Sequence, residues 1–259
     1  MSPPTRRRLL ALAAGSALGA AGCARPWAAP ASAPLLGAFA QPFVSVTVAW
    51  PPGAGALPRS ATAVGSGWFA APGRVVTAAH VVTAATLPEG GLPAWVLAQA
   101  PGSGRGTAAG ARVVAREVGV LLPDGRRLGG TVAAYGQPSG SSVSPLDVAV
   151  LAVEAAGPAA LRLGPPLQDG EPVWILGAEA EGQAPALRPG IVRTAGGGVA
   201  TLSSVLEPGV SGGAVVGRDG RVRGILAAIS AGVAGLAWAV PAATVATFLA
   251  RAERPGGDG

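Results

Sequence analysis

From residue 43 to residue 240 the chain is a succession of short apolar segments, each closed within a few residues by a glycine, proline or aspartate turn signal. That rhythm constrains the fold more than any other feature. A run of about four to eight β-branched or apolar residues that turns back on itself is too short for a stable helix, but it pairs with its neighbours as a strand. Strands are predicted at 43–50, at 64–69 and 74–77 around the turn Ala70-Ala71-Pro72-Gly73, and at 113–122 and 127–135 around Pro123-Asp124-Gly125. Further strands are predicted at 148–153, 173–176, 190–194, 199–203, 214–216, 222–229 and 236–240. Pro241 then opens a helix over 242–251. With 49% hydrophobic residues, despite 41 glycines and 25 prolines, the chain has the apolar content to close a core. The expected class is all-β, a sandwich or a pair of barrels.

The two ends and one internal stretch fall outside this rhythm. Arg6-Arg7-Arg8 precedes an apolar run, residues 9–21, and then Gly22-Cys23, which reads as a secretory leader over 1–23. The run is short for a transmembrane helix, and Thr5-Arg6-Arg7-Arg8-Leu9-Leu10 is similar to a twin-arginine export motif. Ala20-Ala21-Gly22-Cys23 resembles a bacterial lipobox with Ala20 in place of the usual leucine. Two outcomes stay open: Cys23 becomes a lipidated first residue and attaches the protein to the membrane, or cleavage falls between residues 28 and 33 and discards it. Both export the protein to the periplasm or cell envelope. Residues 24–40 are an Ala/Pro-rich spacer, 87–110 an exposed insertion, and 253–259 a disordered tail. This leaves 41–252 as the folded domain.

Cys23 is the one cysteine, so no internal disulfide can form and the domain is held by packing. The formal charge of +6 comes from 19 arginines, since there is no lysine, against 13 acidic residues. Three of those arginines lie in the leader and the rest are scattered without aromatic neighbours, so no nucleic-acid surface is expected. One histidine and one cysteine leave no ligand set for a metal, and no cofactor motif is present.

Three local patterns carry chemistry. His80 is the only histidine and follows directly on the buried-strand pattern Val75-Val76-Thr77-Ala78-Ala79. A general base needs such a rigid support. Gly209-Val210-Ser211-Gly212-Gly213 surrounds a serine with glycines that permit a sharp turn and aim N–H groups at one point. Strand residues and the turn Arg218-Asp219-Gly220 follow, where a nucleophile elbow would run into a helix. Asp147 heads the apolar strand Val148-Ala149-Val150-Leu151, as a strand-capping turn residue or as a carboxylate that orients an imidazole. Asp124, Asp169, Glu171 and Glu207 are further acids near turns.

In combination, and in the order His, Asp, Ser, these patterns resemble the trypsin-like serine proteases, and among them the bacterial HtrA/Deg-type enzymes. The matching segments are Gly65-Ser66-Gly67-Trp68, Thr77-Ala78-Ala79-His80-Val81-Val82, Asp124-Gly125-Arg126, Asp147-Val148-Ala149-Val150-Leu151, Gly209-Val210-Ser211-Gly212-Gly213 and Gly235-Leu236-Ala237-Trp238-Ala239-Val240-Pro241. The resemblance implies two six-stranded antiparallel barrels with a short C-terminal helix. It implies Ser211 as nucleophile, His80 as general base, Asp147 as its orienter, and the N–H groups of Gly209 and Ser211 as an oxyanion hole. Val210 stands where an asparagine is common, Leu202-Ser203 replaces a frequent Thr-Asp pair, and no PDZ domain is expected after Val240.

By the same resemblance the base of the specificity pocket is Val205, six residues before the nucleophile, with a wall of Ala227, Ala228 and Ile229. An apolar pocket of small to medium size implies cleavage after residues such as Val, Ala or Leu. The expected activity is a serine endopeptidase acting on exported or unfolded polypeptides. The alternative is a catalytically weak protease-fold binding module of the envelope, and an esterase-like hydrolase is a poorer third.

Overall fold

The computed structural model describes residues 37, 39–50, 61–85, 112–114, 118–136, 143–154, 160–178, 185–230 and 232–254, all within the unit Ala31–Gly259. The leader with Cys23, most of the spacer, the 87–110 insertion and residues 255–259 lie outside the described residues.

Among the described residues the main elements follow in chain order: β1 (Phe43–Trp50), β2 (Ala61–Ala71), β3 (Arg74–Thr77), α1 (Ala79–Val82), β4 (Thr83–Ala85), β5 (Arg112–Val114), β6 (Val118–Leu121), β7 (Arg127–Tyr135), β8 (Ala149–Val153), β9 (Pro172–Ala178), β10 (Pro185–Thr194), β11 (Ala200–Ser203), β12 (Ala214–Gly217), β13 (Val222–Ile229), β14 (Leu236–Pro241) and α2 (Ala242–Ala252). They close into two antiparallel barrels of six strands each, β1-β2-β3-β8-β7-β6 and β10-β11-β14-β13-β12-β9, with β4 and β5 as a separate pair. This is the expected double barrel with its C-terminal helix.

Alternation along each strand fills each barrel from within. Val44, Val46, Phe69, Val75 and Leu151 meet inside the first, and Val173, Ile175, Leu202, Val215 and Leu226 inside the second. Burial of each such side chain contributes about 1.5–3 kcal/mol, and with no disulfide available this packing is what holds the domain. The outward residues Trp68, Val76, Val150, Leu176 and Ile225 are equally buried, because other elements cover those faces. β1 and β2 of the first barrel pack on β9 of the second, and α2 lies across β7 and β8 on one side and β13 and β14 on the other. Phe248 of α2 seats so closely that a Cβ on Gly136 would come within 2.8 Å of its ring.

Several expectations are corrected. The single strand over 113–122 is two elements: β5 leaves the barrel to pair with β4, a strand that the sequence reading missed, and β6 joins β1. Residues 70 and 71 belong to β2, which tightens the following turn to Pro72-Gly73. The spacer ends earlier than residue 40, since Phe39 is buried and lies 3.7 Å from where a Cβ on Gly220 would stand. Glu253 is no part of a loose tail, as its N–H caps α2 on the Leu249 carbonyl.

Candidate functional site

β3 is buried along its last three residues and ends at Thr77, after which the chain makes the single turn α1. His80 is the second residue of that turn, with 29% of its side chain exposed. Asp147 comes from the segment entering β8, the strand that pairs with β3. Its carboxylate is almost wholly buried and grips His80 at two points. Oδ1 accepts the His80 backbone N–H at 2.9 Å, and Oδ2 lies 2.7 Å from Nδ1. A proton on Nδ1 shared with this carboxylate leaves Nε2 as the basic nitrogen.

Ser211 arrives from the other barrel, on the loop between β11 and β12. The loop is wound by Gly209 and Gly212, at φ +102° and +89°, in a region that favours glycine. Three successive carbonyls are tied inward: Gly209 to the Ser66 hydroxyl at 2.7 Å, Val210 to the Gly213 N–H at 2.9 Å and Ser211 to the Ser66 N–H at 2.7 Å. Among the described residues, the N–H groups of Gly209 and Ser211 donate to no carbonyl. The loop abuts the base of the histidine turn. A Cβ on Gly212 would collide with the Ser66 carbonyl and stand 2.5 Å from Thr77 Oγ1 and 2.9 Å from the Ala78 nitrogen. His80, Asp147 and the Ser211 loop therefore meet at the seam of the two barrels.

Three of the other acids flagged in the sequence lie elsewhere. Asp124 pairs with Arg126 across an exposed turn at 2.7 Å, and the hydrogen bond from the Arg126 backbone, then its side chain, holds the Asp124 carboxyl below its ordinary value. Asp169 accepts the Ala195 N–H at 2.7 Å. Glu171 binds the buried Arg223 at 2.8 Å.

Val205 and Ile229 face one cavity of about 130 Å³, with Leu206, Ser230, Gly235 and Leu236. Val205 is 77% exposed, so it stands at an open end of the cavity and not at a sealed floor. Ala227 is buried, and neither it nor Ala228 reaches the cavity surface. A wider opening of about 440 Å³ adjoins it, edged by Arg188, Pro189, Ser203 and Glu207. The residue that sequence reasoning missed is Ser66. Its motif, Gly65-Ser66-Gly67, was visible, but its partners lie far away in the chain.

A family model described as a trypsin-like peptidase domain matches residues 65–225, more than half of the chain. Among solved structures, the active form of the Rv3671c protease from M. tuberculosis is similar with a TM-score of 0.60 at 22% identity over 87% of each chain. The inactive form of that protease gives 0.56 at 22% identity, over 85% of this chain and 93% of the other. At this identity the likeness is one of fold. No curated protein sequence matches the chain.

Proposed function

Since the chain belongs to the trypsin-like peptidase domain family and is a serine endopeptidase, we propose that Ser211, His80 and Asp147 are its nucleophile, general base and orienting carboxylate. The observation that carries this reading is the two-point grip of Asp147 on His80, which fixes both ring and backbone of the only histidine in the chain.

In this reading Ser211 Oγ attacks the scissile carbonyl carbon while His80 Nε2 takes its proton. Negative charge moves to the carbonyl oxygen, where the N–H groups of Gly209 and Ser211 hold it. The tetrahedral adduct collapses, the C–N bond breaks, and the imidazolium returns its proton to the leaving amine. Water then repeats the sequence on the acyl ester, freeing Ser211 and the new carboxylic acid. The Asp147 carboxylate stabilises the imidazolium.

The cavity lined by Val205, Leu206, Ile229 and Leu236 supports a preference for a small or medium apolar residue before the scissile bond. The leader sequence supports export to the envelope, with exported or unfolded polypeptides as substrates. Digestion of unfolded casein, together with labelling by a fluorophosphonate, tests the reading: both should be present in the wild type and absent in Ser211→Ala. A wild type that neither labels nor cleaves would leave a protease-fold binding module.

A further inference from the structure

Ser66 lies on β2, in the barrel that carries His80, yet most of its polar contacts are with the other barrel. It is fully buried. Its hydroxyl donates to the Gly209 carbonyl at 2.7 Å and accepts the Ala178 N–H at 2.7 Å. Its own N–H donates to the Ser211 carbonyl at 2.7 Å. Its carbonyl accepts the Thr77 hydroxyl at 2.8 Å, three residues before His80. Every polar group of one residue is thus engaged, at the point where the two barrels must hold register.

The flanking glycines make this approach feasible. A Cβ on Gly65 would stand 2.7 Å from Val81, on the histidine turn, and 3.0 Å from the Ser211 carbonyl. One on Gly67 would stand 2.9 Å from the Val76 carbonyl. The histidine turn and the nucleophile loop therefore lean on the same three residues.

We propose that Ser66 is the positioning residue of the nucleophile loop: its hydroxyl and N–H clamp the Gly209 and Ser211 carbonyls and so hold the turn in which the N–H groups of those two residues are left to face the reacting oxygen. This rests on the triad reading above. The Gly209 carbonyl shares its peptide unit with the Val210 N–H and the Ser211 carbonyl with the Gly212 N–H, so tying both inward fixes the two peptides that flank the 210–211 unit, and with them the turn that carries the Ser211 N–H. Without the hydroxyl, the part-buried Gly209 carbonyl and the buried Ala178 N–H lose the partner they share, and the loop is free to rotate its peptides toward other donors. The loss would fall on stabilisation of developing negative charge and much less on substrate binding.

The test compares Ser66→Ala with Ser45→Ala, a change at a second buried serine on the neighbouring strand, whose hydroxyl reaches only the Gly65 carbonyl at 3.5 Å. Ser66→Ala should lower kcat about 10- to 100-fold with KM within about twofold, and weaken binding of a peptidyl boronate ending in valine by the same factor as kcat/KM. Ser45→Ala should change thermal stability at most and leave kcat alone. A folded Ser66→Ala with wild-type kcat, or one that loses KM and keeps boronate affinity, overturns the proposal. Should Ser66→Ala not fold, Ser66→Cys carries the test: a thiol is a weak donor and acceptor, so kcat and boronate affinity must fall together by about threefold or more, and wild-type values overturn it. Fluorophosphonate labelling of Ser211→Ala separates the two failures, since a label retained there would sink the triad reading itself.

Discussion

Asp147 commits both carboxylate oxygens to a single residue, His80: Oδ1 takes the backbone N–H at 2.9 Å and Oδ2 faces Nδ1 at 2.7 Å. In Asp147→Asn one oxygen can still accept the backbone N–H, but the NH₂ group then faces Nδ1 and forces the proton onto Nε2. A protonated Nε2 cannot accept from Ser211. We expect kcat/KM to fall about 10³- to 10⁴-fold with little change in melting temperature. Asp124→Asn and Asp169→Asn should leave kcat/KM intact, since those carboxylates serve exposed turns. A drop of less than tenfold in Asp147→Asn would remove the carboxylate from the mechanism.

Gly212 is the most constrained position of the nucleophile loop. It sits at φ +89°, and a Cβ there would collide with the Ser66 carbonyl. Gly212→Ala combines backbone strain with a steric clash, each about 1–3 kcal/mol. The protein should unfold at visibly lower urea and lose its fluorophosphonate reactivity in step. Gly129→Ala is the matched control, as nothing lies within 4 Å of its Cβ position. Equal urea midpoints for the two variants would show that the loop is not held as described.

Ile229 lines the same cavity as Val205. Ile229→Ala should widen it and move cleavage on a peptide library toward larger residues such as Leu, Met and Phe, with a discrimination change of about 10-fold or more. Val205→Asp places a carboxylate at its open end and should bring in cleavage after Arg or Lys. If the library profile is indifferent to both substitutions, the specificity cavity lies elsewhere.

How much of this was legible in the sequence depends on the range of each interaction. β1, β3, β7 and β13 are set by alternation and by local turns such as Pro123-Asp124-Gly125, so their limits were readable residue by residue. The break between β5 and β6 was not, because β5 is drawn off by a partner, β4, that has only three residues and no pattern of its own. His80 was conspicuous as the only histidine. Asp147 differed from Asp124 and Asp169 only through the strand that follows it, and its role emerges from a contact across 67 residues. Ser66 reaches its partners across 112 and 143 residues, and no local pattern encodes that. Val205 was placed by counting back from Ser211. Counting gives its neighbours in the chain but not its exposure, which depends on what the fold packs around it.

Arg223 shows the same limit and yields the last prediction. An arginine in a strand next to a turn reads as a surface residue, yet Arg223 is only 7% exposed. Its Nε meets Glu171 at 2.8 Å and its Nη2 meets Asp219 at 3.1 Å. Cβ atoms on Gly164 or Gly217 would occupy the place of the guanidinium. Burial disfavours the Arg223 charge, but the hydrogen bonds it donates to Glu171 and Asp219 outweigh this and raise its pKa above the ordinary value. Its contribution is therefore complete at neutral pH and is lost only in strong alkali. Burial likewise works against the Asp219 carboxylate, but the Arg221 backbone and Arg223 side-chain bonds outweigh it and lower its pKa. Its contribution is present above about pH 4 and is lost as pH falls through the lowered folded value. Arg223→Ala strands Glu171 beside a cavity and should cost about 3–5 kcal/mol, read as a shift in the urea midpoint at pH 7. The hydrolysis rate per folded molecule should be unchanged. Between about pH 4 and pH 2 the wild type should lose stability more steeply than Arg223→Ala, because only the wild type still has the Arg223–Asp219 bond to lose. Equal acid slopes would mean that Asp219 owes its lowered pKa to the Arg221 backbone alone.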